Sequence, residues 1–178
     1  MKTNSKIRFL ALGAVIAALY AVLTYAAAAV NLAYGAVQFR FSEALTVLPA
    51  LTPAAIPGLT LGCFISNLAS PLGVVDWIFG TLATLLAALG TYVLTKVEIR
   101  GVPWLAPLPP VISNAVIVGF EVSCLSQSGA FALGNFSLPA FLAGMISVGA
   151  GELVVCYVLG LPLLLALRKV TAKGRLAY

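Results

Sequence analysis

Apolar residues run through this chain in blocks too long and too unbroken for the alternation of a strand or the single stripe of a surface helix. A segment needs roughly 20 apolar residues to cross the ~30 Å hydrocarbon core of a bilayer. Charges, prolines and glycines divide the sequence into about six such blocks. The pattern predicts helices over about Ile7 to Ala29, Val37 to Leu51, Pro53 to Ala69, Asp76 to Thr95, Trp104 to Leu125 and Leu138 to Leu167. The second is short, reaching only ~22 Å at the α-helical rise. Pro49, Pro53 and Pro57 interrupt the passage from the second block to the third. A kinked or partly re-entrant pair, shielded by neighbouring helices, is expected there.

Composition agrees with a membrane chain: 62% of the 178 residues are hydrophobic and 8% charged, against ~25% charged in a soluble domain. The expected fold is therefore an all-α integral membrane bundle of six helices, one domain over residues 1–178. Its first block, Ile7 to Val30, is longer than the apolar core of a signal peptide and is read as a span. The net charge of +5 does not form the interleaved basic and aromatic surface of a nucleic-acid binder. Lys2, Lys6 and Arg8 precede the first span, Lys96 and Arg100 follow the fourth, and Arg168, Lys169, Lys173 and Arg175 follow the sixth. Positive flanks are retained in the cytoplasm, so both termini are expected inside. The uncharged connections about Val30 to Ala36, Ser70 to Val75 and Ser126 to Ser137 then face outward.

Histidine is absent, which excludes imidazole bases and nucleophilic pairs that depend on them. Cys63, Cys124 and Cys156 stand apart in apolar stretches without CxxC spacing and read as packing residues. No GxxxxGK[ST] motif is present, so the chain has no phosphate-cradling loop of its own for ATP. Nothing in the sequence calls for a cofactor or a metal.

The informative residues are the charges within or at the outer edge of the apolar blocks: Arg40, Glu43, Asp76, Glu121 and Glu152. An ionised group at mid-membrane costs ~2.5 to 3.5 kcal/mol on insertion scales and normally faces a bundle interior or a watery cavity. On the predicted topology all five fall in the outer half. Arg40 and Glu43 are three apart and share a helix face, where they can pair, either as a structural salt bridge or as pocket lining. Asn114 and Glu121, seven apart, share another face. Asn67 and Ser70 form a smaller polar stripe. A lone Asn in a membrane helix also serves as an interhelical hydrogen-bonding residue. Trp77, like Tyr25 and Tyr34, reads either as an interfacial anchor or as a stacking surface for a flat ligand. The connection Gln127 to Ser137 holds Phe131, Asn135 and Phe136 among glycines and could serve as a lid. In the first span, Ala11, Ala14, Ala18 and Ala21 form a small-residue stripe suited to close helix approach, within the chain or against another subunit.

The run Val37-Gln-Phe-Arg-Phe-Ser-Glu-Ala-Leu-Thr-Val-Leu-Pro49 resembles the substrate-binding S components of energy-coupling factor (ECF) transporters, and within them the queuosine-precursor (QueT) group. The resemblance continues through Thr52-Pro-Ala-Ala-Ile-Pro-Gly58, Gly62-Cys63, Asp76 and Phe79-Gly-Thr-Leu-Ala-Thr-Leu85. In the last two spans it extends to length, polarity and Glu placement only. It implies a six-helix fold with an outward-facing ligand site in the bacterial plasma membrane, docked on a transmembrane coupling (T) subunit that carries two ATPases. The stripe around Ala14 and Ala18, with Ala21, looks like that family's AxxxA docking motif. The implied cargo is a 7-deazaguanine: queuine or its nitrile or aminomethyl precursors. Such a base offers adjacent donors to one carboxylate, as Glu121 or Glu152 could accept, while Arg40 or an Asn such as Asn67, Asn114 or Asn135 could donate to its carbonyl. An aminomethyl cation would favour a further acid such as Asp76 or Glu43, and the ring would stack on Trp77 or a Phe. The chain itself is expected to be a transport subunit without enzymatic activity. An S component for another vitamin, a small membrane enzyme acting on lipid headgroups and a ligand-free pore or assembly subunit are the competing readings. Scattered outward acids, in place of clustered cytoplasmic ones, speak against the enzyme.

Overall fold

The computed structural model describes residues 2–33, 39–126 and 129–172. Among them the chain forms α1 (Lys2–Ala29), a 3-10 helix (Phe41–Ala50), α2 (Ala55–Asn67), α3 (Val74–Leu94), α4 (Leu108–Ser123), a 3-10 turn (Leu133–Asn135) and α5 (Leu138–Val154). The last passes through a π-helical segment (Val155–Gly160) into α6 (Leu161–Ala172). Three stretches, Asn4–Ala29, Val74–Leu94 and Leu138–Thr171, are long and apolar enough to cross a membrane, while α2 and α4 are shorter apolar helices. The chain is thus an all-helical membrane-type bundle.

Local sequence accounts for most of the boundaries. Alanine-rich α1 carries the strongest helix former. Pro109 and Pro110 open α4 and Pro139 opens α5, in the first turn, where a missing N–H costs little. Pro162 follows the π segment. Its ring would collide with the carbonyl four residues back in a regular α-helix, and a local widening of the turn relieves that contact.

Packing brings the segments together in alternating directions. Gly58 and Gly62 let α2 lie parallel to α1 at backbone contact: a Cβ on Gly58 would stand 2.7 Å from the Gly13 carbonyl oxygen, and one on Gly62 2.7 Å from that of Ala17. Gly119 on α4 meets Gly144 and Met145 on the antiparallel α5 in the same way. Small residues replace hydrophobic driving force as the means of close approach in lipid. At one end of the bundle Arg168 pairs with Glu98 at 2.6 Å and donates to Thr95 at 3.0 Å. Leu12, Leu51, Leu163 and Leu167 pack on a common apolar cluster with Ile16, Leu48 and Leu59. Those contacts gather the basic groups near the start of α1, the end of α3 and the end of α6 at one end. Lys173, Arg175 and Tyr34 lie outside the described residues.

The second block departs most from expectation. A helix over 37–51 was the prediction; Val37 and Gln38 are outside the described residues, and Phe41–Ala50 is a 3-10 helix. Such helices seldom exceed 3–4 residues because their hydrogen bonds are poorly aligned. This one is ten residues long, and Ser42 to Pro49 are all buried, so its neighbours sheathe it on every side. The consequence for chemistry is direct. Residues three apart eclipse in a 3-10 helix, which sets the Thr46 hydroxyl over the Glu43 carbonyl, and the Cys156 thiol of the π segment reaches both that hydroxyl and that carbonyl.

Candidate ligand-binding site

Two polar clusters, one above the other, fill the interior of the bundle. The deeper one centres on Glu43 of the 3-10 helix. The Tyr20 hydroxyl on α1 donates to Glu43 Oε1. Asn114 on α4 donates through Nδ2 to Glu152 Oε1 at 2.9 Å and to Glu43 Oε2 at 3.4 Å. The Cys156 thiol donates to Glu152 Oε2 at 3.5 Å. Thr46 donates to the Glu43 carbonyl at 2.6 Å, and Thr24 lies 2.7 Å from Ser42 beside them. One asparagine therefore bridges two carboxyl groups carried by different elements.

The other cluster, toward the end of the bundle away from Arg168, centres on Arg40. Its Nη2 stands 3.6 Å from Asp76 Oδ2, Nε donates to the Ala33 carbonyl at 3.1 Å, and Nη1 reaches Asn67 Oδ1 at 3.5 Å. Asn67 in turn donates to the Asp76 backbone carbonyl at 3.0 Å, tying α2 to the start of α3. Gly80 makes room for this: a Cβ there would stand 2.5 Å from Asn67 Nδ2 and 2.7 Å from Asp76 Oδ1. Glu121, two turns outward from Asn114 on α4, is fully buried, and neither of its carboxyl oxygens has a hydrogen-bond partner among the described residues. Asp76, 1% exposed, has no donor at hydrogen-bond distance either. Glu121 lies within electrostatic reach of both Asp76 and Arg40. A buried polar atom left without a partner carries an uncompensated desolvation cost of ~1–3 kcal/mol; among the described residues these carboxyl groups share that condition with Trp77 Nε1 and Thr81 Oγ1.

The expected Arg40–Glu43 pair is replaced by Arg40–Asp76. Arg40 is the N-cap of the 3-10 helix and has extended backbone angles, φ −85° and ψ 104°. Its side chain is therefore off the helical lattice that the three-residue spacing presupposed. Arg40, Glu43, Asn67, Asp76, Asn114, Glu121 and Glu152 come together in these clusters. Trp77 and Asn135 do not. Trp77 packs edge-on against Phe64 at 6.4 Å, one residue round the helix from Asp76. Asn135 is exposed and donates to the Cys124 carbonyl at 3.4 Å. Of the alanine stripe, Ala14 and Ala18 are exposed, whereas Ala21 is turned into the bundle at 7% exposure.

Tyr20 and Cys156 carry site contacts that sequence reasoning missed. Tyr20 shares a helix face with Ile16 and Thr24, and a polar ring on an inward face was the available signal. Nor were Phe79 and Phe120 singled out. They start a ladder of rings, with Phe79 5.6 Å from Phe131, Phe120 5.7 Å from Phe136, and 6.1 Å between Phe79 and Phe120. Phe131 and Phe136 belong to the expected lid, of which residues 127–128 lie outside the described set. A hollow of about 480 Å³ lies elsewhere, on the apolar outside between α2 and α3, lined by residues such as Ile56, Phe64 and Leu85. The acids themselves are closely packed: Glu43, Asp76, Glu121 and Glu152 are at most 4% exposed.

Comparison with known proteins bears on what this interior is for. The QueT transporter family matches residues 10–169. A protein of Lactococcus lactis subsp. cremoris (strain MG1363), named queuosine precursor transporter QueT, is 42% identical over 72 residues, which make up 40% of this chain and 42% of that relative. The aligned part thus spans less than half of either protein. No solved structure matches. With the match running from α1 through α6 and enclosing every residue of both polar clusters, this chain belongs to the QueT transporter family.

Proposed function

We propose that this chain is the substrate-binding S component of an ECF-type importer that takes up queuosine precursors of the 7-deazaguanine class. The observation that carries the proposal is the interior itself: four carboxyl groups and one guanidinium buried together, with no hydrogen-bond donor to the Glu121 and Asp76 carboxyl oxygens among the described residues. Ionisable groups are costly inside a membrane bundle and mark a pathway or site. In this reading the guanine-like edge lies at the deeper cluster. Glu152 accepts the two adjacent N–H donors, and Asn114 gives up its longer contact to Glu43 to donate to the ring carbonyl. Phe79 and Phe120 offer flat apolar surface toward the outer end.

The bundle is oriented with the basic end in the cytoplasm of a bacterial plasma membrane, following the retention of positive flanks. It crosses the membrane six times, and the outer cluster faces the exterior. The exposed Ala14 and Ala18 on α1 form the surface for a transmembrane coupling subunit with two ATPases, which supply the ATP hydrolysis.

Because the acids are closely packed, binding requires the outer end to open. Calorimetry on the purified chain tests the assignment, with queuine and the nitrile and aminomethyl 7-deazaguanines set against thiamine, riboflavin and biotin. Saturable binding by deazaguanines alone is expected. Tight binding of one of the vitamins, with none of the deazaguanines, would overturn it.

A further inference from the structure

Two buried polar atoms on the α2–α3 side of the bundle, outside both polar clusters, have no hydrogen-bond partner among the described residues: Trp77 Nε1 and Thr81 Oγ1. They are four apart on α3 and share a face. Both α2 and α3 are described throughout. Each group departs from the habit of its kind. An interfacial tryptophan keeps its N–H at the headgroup level, but the Trp77 ring stands edge-on to Phe64 of α2 and its N–H is buried. Threonines in membrane helices return the hydroxyl to the carbonyl four residues back, as Thr24, Thr60 and Thr171 do. Thr81 does not.

Phe64 and Thr81 belong to the wall of the hollow of about 480 Å³ between α2 and α3, which is within the size range of small-molecule sites. Ile56, Pro57, Leu61 and Leu85 supply apolar wall, and the hydroxyl of Thr60 is already satisfied by the Ile56 carbonyl. Among the described residues no charged side chain lines it. Trp77 and Thr81 lie about 5 and 10 Å along α3 from its start, so the two free donors mark one end of an apolar trough, the end nearer the membrane surface.

We propose that this groove is a lipid site, seating one acyl chain of a glycerophospholipid with its ester carbonyl accepting from Thr81 and Trp77. Complementary charge selects the occupant. The two donors present partial positive charge with no formal charge on the groove wall, and a neutral carbonyl oxygen answers them. An ionised headgroup would have to leave the interface at a cost of several kcal/mol. A helix from another subunit or from a second copy would arrive with its backbone carbonyls already bonded within itself, leaving both donors empty. One step between staggered χ1 wells turns the Thr81 hydroxyl into the hollow. The site is independent of what the interior binds.

Tryptophan fluorescence tests this, because Trp77 and Trp104 are the two tryptophans of the chain. Trp104 is 48% exposed, and in Trp104→Phe the emission reports Trp77 alone. The full chain in detergent is titrated with phosphatidylglycerol carrying brominated acyl chains, which quench on contact, and with the brominated diether of the same tails and headgroup, which has no ester carbonyl. Saturable quenching is expected, with the diester binding roughly 2- to 10-fold tighter than the diether, the range of one neutral hydrogen bond. Thr81→Val, which keeps the shape and removes the hydroxyl, is expected to lower the diester to the diether's affinity and leave the diether unchanged. The same two-lipid comparison by native mass spectrometry on the unaltered chain needs no variant. Equal affinity for the two lipids, or quenching that never saturates, would overturn the inference. So would light scattering that shows two chains pairing with Trp77 shielded from the brominated tails, which would give the groove to a second copy.

Discussion

Replacing Gly62 by leucine probes whether the close approach of α1 and α2 holds the deeper cluster in place. Already the first added atom has no room: a Cβ at this position stands 2.7 Å from the Ala17 carbonyl oxygen, 2.8 Å from Tyr20 Cβ and 3.0 Å from Ala17 Cα. Two of these are backbone atoms, so the strain cannot be relieved by rotating a side chain, and three further carbons must follow. Overpacking of this kind costs about 3 kcal/mol or more. Leucine's better helix propensity returns ~1 kcal/mol, leaving a net loss of about 2 kcal/mol. For a chain of this size that corresponds to a Tm lower by about 4–8 °C. The displacement falls on Tyr20, whose hydroxyl holds Glu43, so ligand affinity should drop along with stability. Thermal unfolding and calorimetry on the same detergent preparation measure both. The neighbouring change Leu61→Ala, at a residue 51% exposed on the outside of α2, serves as control and is expected to stay within ~0.5 kcal/mol. If Gly62→Leu melted with the unaltered protein and bound ligand as well, the coupling of helix approach to site geometry would be refuted.

Glu152→Gln removes the carboxylate proposed to accept the base edge while keeping the Asn114 contact possible. It is expected to weaken every deazaguanine by about 10- to 100-fold, the worth of a charged hydrogen bond, with an unchanged melting curve; calorimetry showing full affinity would contradict the role. Ala14→Leu combined with Ala18→Leu adds bulk on an exposed face of α1. The purified double variant should bind ligand normally while cellular uptake is lost, and normal uptake would remove the docking assignment.

Much of this protein is legible in its sequence, because the controlling terms are local or compositional. The length of apolar runs decides which segments can cross a bilayer. Prolines mark the starts of α4 and α5, and the scarcity of charge makes each internal acid conspicuous. The ends foreseen for the first, third and fourth blocks lie within a few residues of α1, α2 and α3. Arg40, Glu43, Asn67, Asp76, Asn114, Glu121 and Glu152 were all identifiable as buried polar groups, since the cost of placing such groups in lipid depends on the residue type and its depth.

Which of these groups touch each other was decided only in three dimensions. Arg40 turned to Asp76 and left Glu43 because its backbone is extended, outside the helix whose spacing suggested the pair. Tyr20 became the partner of Glu43 because α1 packs directly against the 3-10 helix, an approach that neither segment encodes alone. Trp77 and Asp76 are adjacent in sequence yet face different neighbours, since consecutive helical residues point about 100° apart. The ten-residue 3-10 helix is the clearest case. Nothing in Phe41–Ala50 prefers that geometry by itself, and it persists because α1, α3 and the π segment bury it from all sides. Sequence thus determined which groups had to be hidden from lipid, and tertiary packing determined which of them meet, because contact across helices depends on register and approach that no single segment encodes.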